Sequence, residues 1–236
     1  MISVLTSTLY IPFANAEESS QTLTILFTHD LHDNFLPVES VQDGKKQYVG
    51  GYARLHSAIQ AVRVQEQNVL LVDAGDYSMG TPFQTIFQTD SPELRLMGQM
   101  GYDVVTLGNH EFDYRAEGLA DSLQAAVNSG EPLPQIVQSN IIFPVDDGGN
   151  LTDSLEHLKK SMENYGTKDY TIIERNGIKV GIFGVMGADS ASKAPMSEVQ
   201  FEDEITHAKR VVDILKQEGA EIILCLSHSG TWADKS

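Results

Sequence analysis

Asp30-Leu31-His32, Asp76, Asn109-His110 and His228 are side chains of the types that hold metal ions. Imidazole nitrogens combined with carboxylate or amide oxygens suit zinc, manganese, iron and similar ions. In Asp30-x-His32 the two side chains fall on the same side of an extended segment, as chelation requires. The densest cluster is Leu107-Gly108-Asn109-His110-Glu111-Phe112-Asp113, where an amide, an imidazole and two carboxylates follow directly after a glycine. Any one of these groups alone reads as a solvated loop pair or a surface histidine. The weight lies in their order along the chain and in what precedes each of them.

Each group follows a short apolar or β-rich run: residues 22–28, 69–72, 103–106 and 221–226. If those strands lie parallel in a sheet, their carboxyl ends bring the groups to one edge, where α/β proteins bind ligands. Between them the spacing predicts helices over 50–67, 91–100, 116–128, 151–165 and 204–217. Ser91-Pro92 starts the second of these and Gly101 ends it. A strand at 135–138 leads to Ser139-Asn140. Asn176-Gly177 predicts a hairpin turn between strands 170–174 and 178–184. The polar stretch up to Tyr48, the acidic stretch 144–150 and residues 188–199 read as loops, the last one mobile. This alternation argues α/β, or mixed α+β layers with helices covering a sheet. Strands with little alternation are expected to be buried on both faces.

The 236 residues suffice for one large domain or two small ones, and no repeat or linker divides them. A net charge of -17 argues against polymeric nucleic acid as a partner, because that binding needs Lys and Arg on phosphates. It leaves a small phosphate-bearing substrate open if bound divalent metal supplies local positive charge. The single cysteine, Cys225, lies in an apolar run, cannot form an internal disulfide and reads as a buried small hydrophobe. Residues 1–16 carry no charge, are apolar over 2–13 and end in Ala14-Asn15-Ala16, the pattern of a secretory signal peptide without its basic start. A secreted or cell-surface location is therefore expected. No run reaches the ~20 apolar residues of a membrane-spanning helix.

Taken in order, Asp30-Leu31-His32, Gly75-Asp76, Gly108-Asn109-His110-Glu111 and Ser227-His228-Ser229-Gly230 resemble the successive motifs of the calcineurin-like metallophosphoesterases. The fuller strings THDLHDNFLP, GGYARL, DAGD, LGNHEFD, QSNI and LSHSGTW are similar to the bacterial 5′-nucleotidase and 2′,3′-cyclic-nucleotide phosphodiesterase branch. The resemblance implies a four-layer α/β/β/α metallophosphatase sandwich around two divalent metal ions such as Mn, Zn, Fe or Co. Asp30 and His32 would bind the first metal, Asp76 would bridge both, and Asn109 and His228 would bind the second. His110 with Asp113 resembles the family's catalytic histidine and its carboxylate partner. A water made acidic by the metals would attack the phosphorus of a nucleotide in line. His110 would stabilise the transition state or protonate the leaving oxygen.

The sequence also departs from that pattern. His29 stands where the family has Asn, and Asp33 where it has Gly; both read as solvent-facing polar residues. The family's later G-H-x-H motif and its nucleoside-binding C-terminal domain do not occur. Residues 22–236 are therefore expected to be a catalytic domain incomplete at the C-terminus. A non-catalytic domain, or activity on another phosphate ester or a nucleotide sugar, remains open. Glu111 is expected to face solvent, Asp73 to hydrogen-bond its loop, and Asn140 to support the site. His56, His157 and His207 read as exposed or structural, and Tyr77, Phe112 and Trp232 as packing residues.

Overall fold

The computed structural model describes residues 22–229, so the expected signal segment and Trp232 lie outside the described residues. In chain order the first elements are β1 (Thr24–Thr28), β2 (Val38–Gln42), β3 (Lys45–Val49), α1 (Tyr52–Gln65), β4 (Val69–Asp73), α2 (Phe87–Asp90), α3 (Pro92–Met100), β5 (Val104–Val105) and α4 (Arg115–Ser129). There follow β6 (Gln135–Ile136), β7 (Ile141–Ile142), α5 (Asp153–Tyr165), β8 (Tyr170–Arg175), β9 (Ile178–Met186), α6 (Ala188–Ser192), β10 (Gln200–Phe201), α7 (Glu204–Gln217) and β11 (Ile222–His228).

The principal sheet is parallel, in the order β1-β4-β5-β6, with Thr28 beside Asp73 and Val104 beside Val72. A second sheet, β11-β9-β8, pairs β9 with β11 in parallel and with β8 as a hairpin. Residues next to each other in a strand belong to different packed clusters, as the two-residue period of a strand demands. Leu71, Val105 and Ile136 pack with Leu94, Met97, Leu119 and Leu158 from the helices. Their neighbours Leu70, Val104 and Val137 pack against Val180, Ile182 and Leu226 of the second sheet. The far face of that sheet, through Phe183 and Val185, meets Val211 and Leu215 of α7. The packed order is thus helices, sheet, sheet, helix, which is mixed α/β as the sequence implied.

Local chemistry explains the boundaries. Thr152 caps α5, and Gly101 closes α3 in the left-handed conformation. Asn176 and Gly177 both have positive φ, 53° and 78°, as a tight hairpin turn requires. Three expectations are corrected. The polar stretch before Tyr48 holds the β2–β3 hairpin, turned at Asp43-Gly44 with φ of 50° and 71°, and its strand residues are mostly exposed. Residues 188–199 include α6 and bury Ala194 and Val199. Cys225 is exposed, because β11 is an edge strand and alternate residues of it turn away from the inter-sheet core.

Candidate functional site

Two loops leave the carboxyl ends of β1 and β4 and run side by side. The backbone N–H groups of Asp30, His32 and Asp33 donate to the carbonyls of Gly75, Asp76 and Tyr77 at 3.0–3.1 Å. Asp30, His32, Asp33 and Asp76 all hold positive φ, between 46° and 56°. That conformation costs free energy for any residue with a Cβ and is kept only where the surroundings over-determine it. A third loop, 107–113, presses against the second. A Cβ on Gly75 would sit 2.6 Å from the Gly108 nitrogen, and one on Gly108 would sit 2.2 Å from Asp76 Oδ1. Only paired glycines permit this approach.

The side chains then converge. His32 Nδ1 faces the carbonyls of Met79 (2.6 Å) and Ser78 (3.1 Å). Carbonyls only accept, so Nδ1 carries a proton, and Nε2 faces Asp30 Oδ1 at 3.4 Å. His228 is held in the same way: Nδ1 donates to Ala74 O (2.8 Å), while Nε2 lies 3.1 Å from Asp76 Oδ2 and 3.3 Å from Asn109 Oδ1. Asp76 Oδ1 accepts from the backbone N–H of His110 (2.9 Å). His110 Nδ1 meets Asp113 Oδ2 at 2.8 Å.

Two overlapping donor groups result, Asp30–Asp76–His228 and His32–Asp76–His110, each with its ligand atoms within 4.8 Å of one another. Asp76 is common to both. The set of imidazole nitrogens and carboxylate oxygens, with imidazoles oriented by carbonyls behind them, fits divalent transition ions. The electrostatics agree. Burial opposes charge on His228, yet its bond to Asp76 outweighs burial and pushes the imidazole up to about 9. Asp76 is lowered in turn: burial works against its charge, and His228 overcomes that. For His110, burial is outweighed by Asp113 and by the Asp76 charge, so its pKa is raised.

A cleft of about 660 Å³ opens over these groups. Ile25, Phe27, Leu224 and Leu226 form an apolar wall, and Asp189 and Lys193 also line the cleft. The structure thus brings together Asp30, His32, Asp76, Asn109, His110, Asp113 and His228.

Two residues behave differently from the sequence expectation. Glu111 does not face solvent: it is fully buried and accepts from the N–H groups of Gly108 (2.6 Å), Asp76 (3.0 Å) and Ser78 (3.0 Å) and from Ser78 Oγ (2.9 Å). It stitches the second and third loops together. Asp33 is likewise fully buried. Asp73 does bond its own loop, accepting from Gly75 N and Thr28 Oγ1. Asn140 is buried and ties β9 to the β7 loop through Met186 and Glu202.

A profile of the calcineurin-like phosphoesterases matches residues 23–235. The chain belongs to the calcineurin-like phosphoesterase family. It is 34% identical over 217 residues to a 5′-nucleotidase of Diplobatis ommata, covering 90% of this chain and 34% of that protein. Its fold is similar to the crystal structure of a 5′-nucleotidase precursor from Thermus thermophilus, with a TM-score of 0.72 and 28% identity over 90% of this chain and 38% of the other. The structure of an NAD nucleotidase from Haemophilus influenzae gives a TM-score of 0.69 at 28% identity, covering 90% of this chain and 35% of that one. This phosphoesterase chain spans about a third of the length of the curated relatives it matches.

Proposed function

We propose that residues 22–236 carry the catalytic centre of a metal-dependent phosphohydrolase that acts on nucleotides, either nucleoside 5′-monophosphates or 2′,3′-cyclic phosphates. The observation that carries this reading is Asp76, whose carboxylate belongs to both donor groups. By the family resemblance Asp30 and His32 would hold one divalent cation, Asn109 and His228 the other, and Asp76 both, whereas the metal-free geometry groups Asp30 with His228 and His32 with His110 around Asp76. Such cations supply positive charge to phosphate oxygens and make a water acidic enough to attack phosphorus. The chain's own residues do the rest. Asp113 accepts a hydrogen bond from the Nδ1–H of His110 and leaves Nε2 for the substrate. Charge on that imidazole is favoured by Asp113 and Asp76 and opposes the negative charge that develops on the leaving oxygen.

The similarity to an NAD nucleotidase supports a second substrate class, in which a pyrophosphate joins two nucleosides. A panel of nucleoside 5′-monophosphates, 2′,3′-cyclic nucleotides, dinucleotides, sugar phosphates and nucleotide sugars, assayed on the complete protein with Mn or Zn, separates these. We expect His110→Ala to lower kcat by roughly 10²–10⁴-fold. Asp76→Ala should abolish both turnover and metal retention. Wild-type turnover in both variants would show the site to be misassigned. Residues 1–16 support export, which N-terminal sequencing of the mature protein would reveal as a start at Glu17. Among the described residues no helix is long and apolar enough to cross a membrane.

A further inference from the structure

The short helix α6 is fastened directly beside the last of the donor residues. β9 ends at Met186, which lies next to His228 in the second sheet. The N–H of Gly187 donates to His228 O at 3.2 Å, and a Cβ on Gly187 would sit 2.0 Å from Ser229 Cβ. Only glycine lets the two segments approach so closely. One face of α6 is then anchored: Ala191 and Ala194 pack with the main core, and Ser190 is buried. Asp189 and Lys193, four residues apart and so on a shared face, are left to line the cleft.

The charge around that cleft is uneven. Asp30, Asp76 and Asp189 contribute carboxylates, and among the described residues that line it Lys193 is the one lysine or arginine. The whole chain carries -17, so a substrate with more than one phosphate approaches against an unfavourable field. Lys193 is the permanent side-chain cation that a second phosphate can find there. At present its Nζ meets Asp189 Oδ2 at 2.7 Å, with the two side chains 60% and 66% exposed. An ion pair so open to water is weak, and the ammonium can change partner at small cost. Six residues at about 1.5 Å each put Lys193 roughly 9 Å along the helix from Gly187 and its contact with His228. The reacting phosphate belongs to the cations. A compact ammonium on a flexible four-carbon stem, more than a turn further out, suits the next anionic group of the substrate.

We propose that Lys193 is a specificity-determining residue, whose ammonium leaves Asp189 for the second phosphate of the substrate and so favours pyrophosphate-containing nucleotides over monophosphates. Asp189 keeps the ammonium on the cleft face and competes with the substrate for it. The inference rests on the cleft being the phosphohydrolase site proposed above, and it names the residue that divides that site's two substrate classes.

The test uses the complete protein with Mn²⁺, as wild type, Lys193→Gln, Lys193→Arg and Asp189→Asn. These changes fall on the open face of α6, and none removes a buried group. Turnover is compared on a nucleoside 5′-diphosphate and on the monophosphate of the same base. Binding is measured by calorimetry with the diphosphate analogue in which CH₂ replaces the oxygen between the two phosphorus atoms, which resists cleavage there. Lys193→Gln should lower the ratio of kcat/KM, diphosphate over monophosphate, by about tenfold, through a higher KM for the diphosphate, and weaken the analogue to a similar extent, the loss of one charge-assisted hydrogen bond. Lys193→Arg keeps the charge and should hold the ratio within about threefold of wild type. Asp189→Asn removes the competitor and should raise the ratio and tighten the analogue by roughly two- to fivefold. An unchanged ratio and analogue affinity in Lys193→Gln overturn the proposal, and so does an arginine variant as damaged as the glutamine one. A wild type that cleaves the monophosphate but does not bind the analogue overturns it as well. If wild type cleaves neither nucleotide, the phosphohydrolase reading itself falls, and this inference with it.

Discussion

Glu111 shows how one side chain can hold a site without touching substrate. Its carboxylate collects the backbone N–H groups of Gly108, Asp76 and Ser78, all of them buried. Removing it strands these donors, and each buried donor left unsatisfied costs roughly 1–3 kcal/mol. We predict that Glu111→Ala loses about 3 kcal/mol or more of stability, read from the urea midpoint. Glu111→Gln, which keeps one acceptor oxygen, should lose less. A second prediction concerns pH. Glu93 stands near 9, and Asp73 is pushed up to about 7 by burial, against ordinary values of 4.5 and 3.8. The folded chain thus binds more protons than the unfolded one above pH 4, and its stability falls as pH rises through that window. His228 acts in the same direction: its contribution is complete below 6.5 and is lost as pH rises through about 9. Asp76, lowered by His228, contributes above 3.8 and loses that on acidification. The metal-free chain should therefore show a higher urea midpoint near about pH 5.5 than near about pH 9. Because metal replaces protons on its ligands, added Mn²⁺ should raise the midpoint more at the alkaline end.

The elements that carry the site are strands ending where loops must touch. Gly108→Ala would drive a Cβ into the Asp76 carboxylate, at 2.2 Å. The expected result is loss of bound metal with the far-UV circular dichroism of the fold largely retained, measured by metal analysis after dialysis. Much of this level was legible in the sequence. Apolar runs ending in Asp, Asn or His located β1, β4, β5 and β11, and Ser91-Pro92 with Gly101 bounded α3. Residues 204–217 form α7 as expected. What stayed hidden depends on contacts between distant residues. Glu111 sits in a polar heptad, and only the packing of Gly75 on Gly108 turns it inward. Asp33 reads as solvated, yet the folded loop buries it fully. The β2–β3 hairpin carried the Asp43-Gly44 turn signal, but polar strands exposed on both sides give no apolar alternation to detect. Cys225 was misplaced because an edge strand buries only some of its apolar residues.

At the scale of the molecule, the two sheets share a core that is open along one side among the described residues. β1 and β11 are both edge strands, and Phe27 is 68% exposed there with Ile25 and Leu224 beside it. An apolar seam between unpaired strand edges is a site for association. We predict that these 236 residues alone self-associate, and that Phe27→Lys reduces the sedimentation coefficient toward that of a monomer. The charge of -17 should oppose association at low salt, so raising the salt should increase it.

The two sheets also impose an order in time. Asp30, His32, Asp76 and Asn109 come from the first sheet, whose described strands have all been made by residue 136. His228 arrives with β11, the last strand of the second sheet, and reaches Ala74 across 154 residues of sequence. A growing chain therefore presents His32, Asp76 and His110 well before His228, and the Asp30–Asp76–His228 group closes only when the sheets dock. Metal capture would then act as a clock for the docking of the two sheets: ions taken up late and together would report docking, whereas an ion held early would mark a chain still waiting for its second sheet.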